Sequence, residues 1–339
     1  MDSSRRDDHG GNAGMSRKVV VTGGAGYIGS HVVDALVRQG AEVFVIDDLS
    51  SGSTENISRH FGSENFHFIK ASVLDEKVVD QFVAGSELVF HLAAAVGVRT
   101  IVEQPLESLL VNVEGTRVVL DAAWRHGVRL VFASTSEVYG KASRVPFSET
   151  DDRLLGPTTV HRWGYATAKA LDEHLAFAYA DKGLSVCILR YFNSYGPRLD
   201  PKGYGSVVAT FIRQSLAGEP LTIHGDGKQT RCFTYIDDTV QGTLLAAETV
   251  TSGAEVFNLG STEEISVLDL AIKIRELLGS ESELRFVPYE EYYGPGFEDT
   301  RRRVPDVDRA FRILGWKAKV GLEEGLRRTI SWWKERHGI

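Results

Sequence analysis

The most constraining stretch opens with Lys18-Val-Val-Val-Thr22, which runs straight into Gly23-Gly-Ala-Gly26-Tyr-Ile-Gly29. An apolar, β-branched run that ends on three glycines and then becomes amphipathic predicts a strand, a tight turn and a helix. Gly23 permits the turn, Gly26 lets a bulky anion approach the backbone, and Gly29 allows the helix to pack closely on the strand. The helix start then offers amide N–H groups and a positive dipole end to phosphates. A glycine triplet alone is a weak signal. Here a second apolar run, Glu42–Asp47, ends on Asp47, 18 residues beyond Gly29. A carboxylate so placed suits a ribose diol and repels a 2′-phosphate, which points to NAD rather than NADP. The competing reading is a glycine-rich turn with a surface aspartate.

The same alternation continues. Strand-like runs at Phe66–Lys70, Leu88–Leu92, Leu130–Ser134 and Leu184–Tyr191 are separated by helical stretches Asp75–Val83, Pro105–His126 and Tyr165–Lys182. Apolar strands between amphipathic helices predict an α/β fold, a Rossmann-type doubly wound parallel sheet. Beyond Asn193 the character changes. Ser194–Gly205 reads as a loop, followed by short helices (Ser206–Ala217, Asp237–Thr249, Val267–Leu278) and short strands (Leu221–His224, Val256–Leu259, Leu284–Val287). The expected organisation is a disordered tail over 1–16, a nucleotide-binding domain over 17–191, and a smaller C-terminal α/β substrate lobe over 192–339. That lobe would return a strand near 255–260 to the first domain. Gly321–His337, with Trp332 and Trp333, reads as an amphipathic packing helix.

Composition excludes other classes. A chain of 339 residues with net charge −8 is a poor candidate for non-specific nucleic-acid or basic membrane binding, so an anionic ligand must be held by local cations or amides. Cys187 and Cys232 are the two cysteines, too few for a disulfide framework and without zinc spacing, which predicts a cytoplasmic protein and no metal. No run approaches the roughly 20 apolar residues of a membrane span, and the polar opening segment lacks the apolar region of a signal peptide.

The glycine spacing together with Tyr165-Ala-Thr-Ala-Lys169 resembles the extended short-chain dehydrogenase/reductases that modify nucleotide sugars. Supporting pieces are Val111-Asn-Val-Glu-Gly-Thr116, Ser134-Thr-Ser-Glu-Val-Tyr-Gly140, Arg190-Tyr-Phe-Asn-Ser-Tyr-Gly-Pro197 and Gly225-Asp-Gly-Lys-Gln-Thr-Arg-Cys-Phe233. The resemblance covers Lys18 to His337. It implies NAD as cofactor, a UDP-sugar as substrate and a homodimer through Pro105–His126 and Tyr165–Lys182. Tyr165 and Lys169, at i and i+4, share a helix face, and a lysine cation beside a phenol lowers the phenol's pKa. Tyr165 then acts as the base for a sugar hydroxyl, with Thr135 sharing that hydroxyl. The resemblance further assigns the cofactor to Gly23, Gly26, Tyr27, Ile28, Gly29, Asp47, Asp48, Ser51, Gly52, Ser72, Val73, Leu92, Ala93, Ala94, Asn112, Ser134, Tyr165, Lys169 and Tyr191. Ser72 departs from relatives that carry an acid there, and Val96 from epimerases with a lysine.

Oxidation at C4 is common to the epimerases, dehydratases and decarboxylases of this family. The pair Ser136-Glu137 lacks the acid with which dehydratases expel water, whereas epimerases typically have a small residue at 137. Ser-Glu resembles the UDP-glucuronate decarboxylases. So do Arg162-Trp163, Gly196-Pro-Arg-Leu-Asp200, Tyr292-Tyr-Gly-Pro-Gly-Phe-Glu-Asp299 and Arg303-Val-Pro-Asp306. A C4 ketone turns the C6 carboxylate into a β-keto acid that loses carbon dioxide when the enolate is stabilised. By this resemblance Arg303 holds the carboxylate, and Glu137 organises hydrogen bonds or carries a proton. Arg231, Phe233, Asn193 and Val207 receive the UDP. The expected activity is NAD-dependent decarboxylation of UDP-glucuronate to UDP-4-keto-pentose, UDP-xylose or both. The alternatives are a UDP-hexose or UDP-glucuronate 4-epimerase, and a non-catalytic NAD-sensing protein. Competing readings of the residues are a solvated Arg301-Arg302-Arg303 run, a surface Glu137 and an Arg231 that caps a short strand.

Overall fold

Seven strands form one sheet in the order β11-β6-β5-β4-β1-β2-β3, with every neighbouring pair parallel. They are Lys18–Thr22 (β1), Glu42–Asp47 (β2), Phe66–Lys70 (β3), Leu88–His91 (β4), Arg129–Thr135 (β5), Val186–Tyr191 (β6) and Ala254–Leu259 (β11). The computed structural model describes residues 17–97, 101, 103–199, 206–289, 291 and 299–338. The 1–16 tail, most of the 292–299 motif, Asp200 and the later part of the expected 194–205 loop lie outside them.

The strands are apolar on both faces, and their alternation divides the core in two. Val19, Val21, Val43, Val45, Phe90, Val131 and Leu189 fill one side, and Val20, Ile46, Val89, Leu130, Phe132, Val186 and Ile188 fill the other. Helix Tyr27–Arg38 (α1) packs against Ile236–Thr249 (α6) on one side. Glu76–Val83 (α2), Pro105–His126 (α3) and Gly164–Ala180 (α4) pack together on the other. α3 starts with proline in its first turn and stops at Gly127, whose φ of 64° is the left-handed closure glycine tolerates. Strand order reverses between β1 and β4, so a crevice opens at their carboxyl ends, where sheets of this class hold ligands.

The remaining chain builds a smaller layer over that crevice from Ser194–Tyr195 (β7), Val207–Leu216 (α5), Leu221–His224 (β8), Thr230–Cys232 (β9), Thr234–Tyr235 (β10), Glu264–Ser266 (β12), Val267–Leu278 (α7), Leu284–Val287 (β13) and Arg302–Arg303 (β14). Asp308–Leu314 (α8) and Leu322–His337 (α9) follow. The expected loop from Ser194 is corrected at its start, because Ser194 and Tyr195 pair in parallel with Thr234 and Tyr235. Strands of two or three residues carry no readable period, so β7, β9, β10, β12 and β14 escape sequence analysis.

Candidate active site

The turn after β1 is built for close approach. Gly23 has φ +69°, and a Cβ there would lie 2.6 Å from the Ala93 amide nitrogen; a Cβ on Gly29 would lie 2.0 Å from the Gly23 carbonyl. Gly26 caps α1 in an extended conformation without a side-chain cap, so no capping group occupies the first amides of the helix. Tyr27 and Ile28 begin that helix, and Gly52 passes so close that a Cβ would meet the Ala25 carbonyl at 2.9 Å. Ser51 and Asp48 are exposed beside it, while Asp47 is buried. Asp47 Oδ2 accepts the Ala25 amide at 2.9 Å and Oδ1 the Leu49 amide at 2.8 Å. Burial pushes its carboxyl upward against those two bonds. Asp47 therefore braces the glycine turn, and each oxygen keeps a second lone pair for a ribose hydroxyl.

Opposite the turn, Leu92, Ala93 and Ala94 follow β4. Asn112, buried on α3, accepts the Ala95 amide at 3.1 Å and donates to the Ala95 carbonyl at 3.0 Å. It fixes the backbone of this wall. Ser72 Oγ accepts the Leu74 amide at 3.2 Å, and Val73 packs beneath Gly115. Tyr191 turns its hydroxyl to Thr243 at 2.8 Å. A cradle that a single Cβ would fill, bare helix amides and a braced carboxylate fit the pyrophosphate and ribose of NAD.

Tyr165, Lys169 and Ser134 meet where β5 ends over α4. Thr135 hydrogen-bonds Tyr165 and accepts the Glu137 amide at 3.2 Å. Ser134 donates to Glu173, which also binds Arg190 through both carboxylate oxygens. Burial pushes the Tyr165 phenol well above its ordinary value, and the Glu137 and Asp172 carboxylates push it further. The Thr135 hydrogen bond and the Arg162 charge act in the opposite direction. The Lys169 ammonium is 3.3 Å from Asp172 Oδ2 and 3.9 Å from the centre of the Phe132 ring.

The arginine run resolves into two faces. β14 lies parallel to β9, with Arg302 beside Thr230 and Arg303 beside Arg231. Neighbours in such a register share a face, and successive residues alternate. Arg302 accordingly turns outward to Glu264 at 2.8 Å, and Arg301 pairs with Asp226 at the surface. Arg303 and Arg231 turn inward and are buried. Arg303 Nη1 donates to Glu137 Oε1 at 2.8 Å, and Arg162 Nη1 lies 2.5 Å from Glu137 Oε2. Burial opposes ionisation of Glu137, yet Arg162 and then Arg303 hold its carboxyl far below the usual range. Two guanidiniums against one carboxyl favour its ionised form. Ser136 is buried beside it.

Arg231 donates to the Thr230 carbonyl at 2.7 Å and to Asp299 Oδ1 at 2.8 Å. Phe233 stands edge-on to Tyr195, and Asn193 takes a left-handed φ of 27° with a buried, unsatisfied Oδ1. Val207 opens α5. Arg162, Asp172, Thr116 and Asp299 are absent from the sequence-derived site. Arg162 precedes Tyr165 by one helical turn and Asp172 follows Lys169 by three residues, so helical spacing alone marked both. Among the described residues no group of His, Cys, Asp or Glu could hold a metal ion, and no helix is long and apolar enough to cross a membrane.

Residues 19–260 match the NAD dependent epimerase/dehydratase family. The chain is 43% identical over 321 residues to UDP-N-acetyl-alpha-D-glucosaminuronate decarboxylase of Bacillus cytotoxicus, covering 95% of this chain and 99% of the relative. It is 36% identical to UDP-glucuronic acid decarboxylase 1 of Xenopus tropicalis, covering 94% and 72%. Among solved structures it is similar to UDP-glucose 4-epimerase from Thermotoga maritima with UDP-glucose, at 36% identity and a TM-score of 0.85, covering 94% and 99%.

Proposed function

Because the chain belongs to the NAD-dependent epimerase/dehydratase family, we propose that it oxidises C4 of a UDP-hexuronate and removes C6 as carbon dioxide, giving a UDP-4-keto-pentose, UDP-xylose or both. The observation that carries this reading is the buried Arg303–Glu137 pair beside Tyr165. A neutral hexose needs no cation there, whereas a uronate carboxylate does.

When bound, NAD supplies a hydride acceptor and, in its oxidised form, a positive ring that favours the phenolate. Tyr165 removes the C4 hydroxyl proton while the Lys169 cation lies on the same helix face. The C4 ketone makes the C6 carboxylate a β-keto acid; the C5–C6 bond breaks, its electrons move into an enolate, and C5 then takes up a proton to complete the UDP-4-keto-pentose. Thr135 and a re-protonated Tyr165 donate hydrogen bonds to the oxyanion at C4. Arg303, shared between Glu137 and the substrate, orients the carboxylate. Two guanidiniums around one carboxylate leave a net positive charge in the pocket, which favours an anionic sugar. Arg231, Asn193, Phe233 and Val207 receive the UDP.

UDP-glucuronate is the substrate this reading favours. The 43% identity to a decarboxylase of an N-acetylated uronate makes the 2-acetamido sugar the second candidate. The same reading includes a cytoplasmic homodimer packed through α3 and α4, supported by exposed Leu106, Leu110 and Leu171 on those helices. The test is carbon dioxide release with NAD and each of UDP-glucuronate, UDP-N-acetylglucosaminuronate and UDP-glucose. Gas from a uronate alone supports the reading; C4 inversion without gas from any of them replaces it with epimerisation.

A further inference from the structure

Lys169 and Asp172 are 1% and 0% exposed at the side chain, an ion pair sealed between α4 and the sheet. The carboxylate of this pair is claimed by none of the roles given to the site residues above. Next to it runs a chain of buried hydrogen-bonding groups. The Ala93 amide donates to Thr22 Oγ1 at 3.3 Å. Thr22 Oγ1 is also hydrogen-bonded to His91 Nδ1, 2.8 Å away. Burial pulls the His91 imidazole down to about 3, so it is neutral, and its Nε2 is hydrogen-bonded to Thr116 Oγ1 at 3.2 Å. The chain starts on the wall that faces the glycine turn and ends on Thr116 of α3, and both Asp172 oxygens are buried without a hydrogen-bond partner among the described residues.

We propose that Asp172 is a positioning residue for the oxidation step, holding the Lys169 ammonium in place and charged. A lysine buried without a partner gives up its proton. Burial does pull Lys169 down, and Asp172 and then Glu173 act against it. The other groups facing it supply no such charge. Tyr165 on its own helix is a phenol, Phe132 on β5 offers a ring face, and Ser134 is neutral. His91 on β4 and Thr116 on α3 are neutral as well. Glu173 is bound by Arg190 of β6 through both oxygens, which leaves Asp172 as the principal counter-charge.

This inference rests on the reading of Tyr165 and Lys169 as the oxidation site, and its test is read without turnover. In the holoenzyme with isotope-labelled lysine side chains, the Lys169 resonance is identified by its loss in Lys169→Arg and followed with pH. In the parent protein Lys169 stays charged above about pH 8.5. In Asp172→Asn its midpoint falls by at least about one pH unit, and Asp172→Glu restores most of that loss. The alkaline limb of the kcat profile on UDP-glucuronate moves down with it, while KM changes less than about twofold. A parent Lys169 already neutral near pH 7.5 overturns the proposal even if no variant folds. An unmoved midpoint in Asp172→Asn overturns it as well. A shifted midpoint in a protein that leaves UDP-glucuronate untouched keeps the assignment of Asp172 and counts against the proposed reaction instead.

Discussion

Arg303 and Glu137 are separated by 166 residues of chain and joined by a 2.8 Å charge-assisted hydrogen bond. Glu137 sits just beyond the carboxyl end of β5, in the first layer, and Arg303 on a two-residue strand of the second. The bond therefore spans the crevice, and the Arg162 guanidinium closes the other side of the carboxylate.

Within the arginine run, position decides the consequence of a substitution. Arg303→Met is expected to reduce carbon dioxide release by about 100-fold or more, roughly 2.7 kcal/mol of transition-state stabilisation. Arg301→Gln and Arg302→Gln, which remove exposed surface pairs, leave both stability and turnover essentially unchanged. Steady-state kinetics on the three purified variants checks this.

Glu137→Gln leaves two buried guanidiniums without their shared counter-charge and costs about 3 kcal/mol at neutral pH. The folded carboxyl lies below its unfolded value, so the native state gains from ionised Glu137 above the unfolded value of 4.5 and loses that gain as pH falls beneath it. Urea unfolding of both proteins between about pH 7 and pH 3 should show a gap that is full at the upper end and narrows at the lower.

Gly29→Ala forces a methyl group to within 2.0 Å of the Gly23 carbonyl, so the turn must open. The expected results are a loss of about 1–3 kcal/mol in stability and at least tenfold weaker NAD binding by calorimetry, about 1.4 kcal/mol.

Asp47→Ala strands the buried Ala25 amide and the Leu49 amide and removes the charge that repels a 2′-phosphate. NAD affinity should fall by about tenfold or more, with the preference over NADP shrinking in paired titrations.

Much of the fold was legible because strand and helix periods are long in the first 190 residues, and β1 leads into its glycines without interruption. The second layer resists such reading because its site-forming strands, Thr230–Cys232 and Arg302–Arg303, are too short to show a period. Three identical arginines in a row look alike in sequence; only the register of β14 on β9 turns Arg303 inward. Lys169 shows a different limit. Its helical spacing from Tyr165 was readable, but the carboxylate of Asp172 lies 3.3 Å from its ammonium, and the burial of that pair depends on how α4 packs on the sheet.

The most direct test follows an isotopic label at C6 of UDP-glucuronate through a single turnover with NAD. The account predicts that the label leaves as carbon dioxide with the parent protein and stays in the sugar with Arg303→Met. Retention of the label by the parent protein in a C4-inverted UDP-uronate would contradict it.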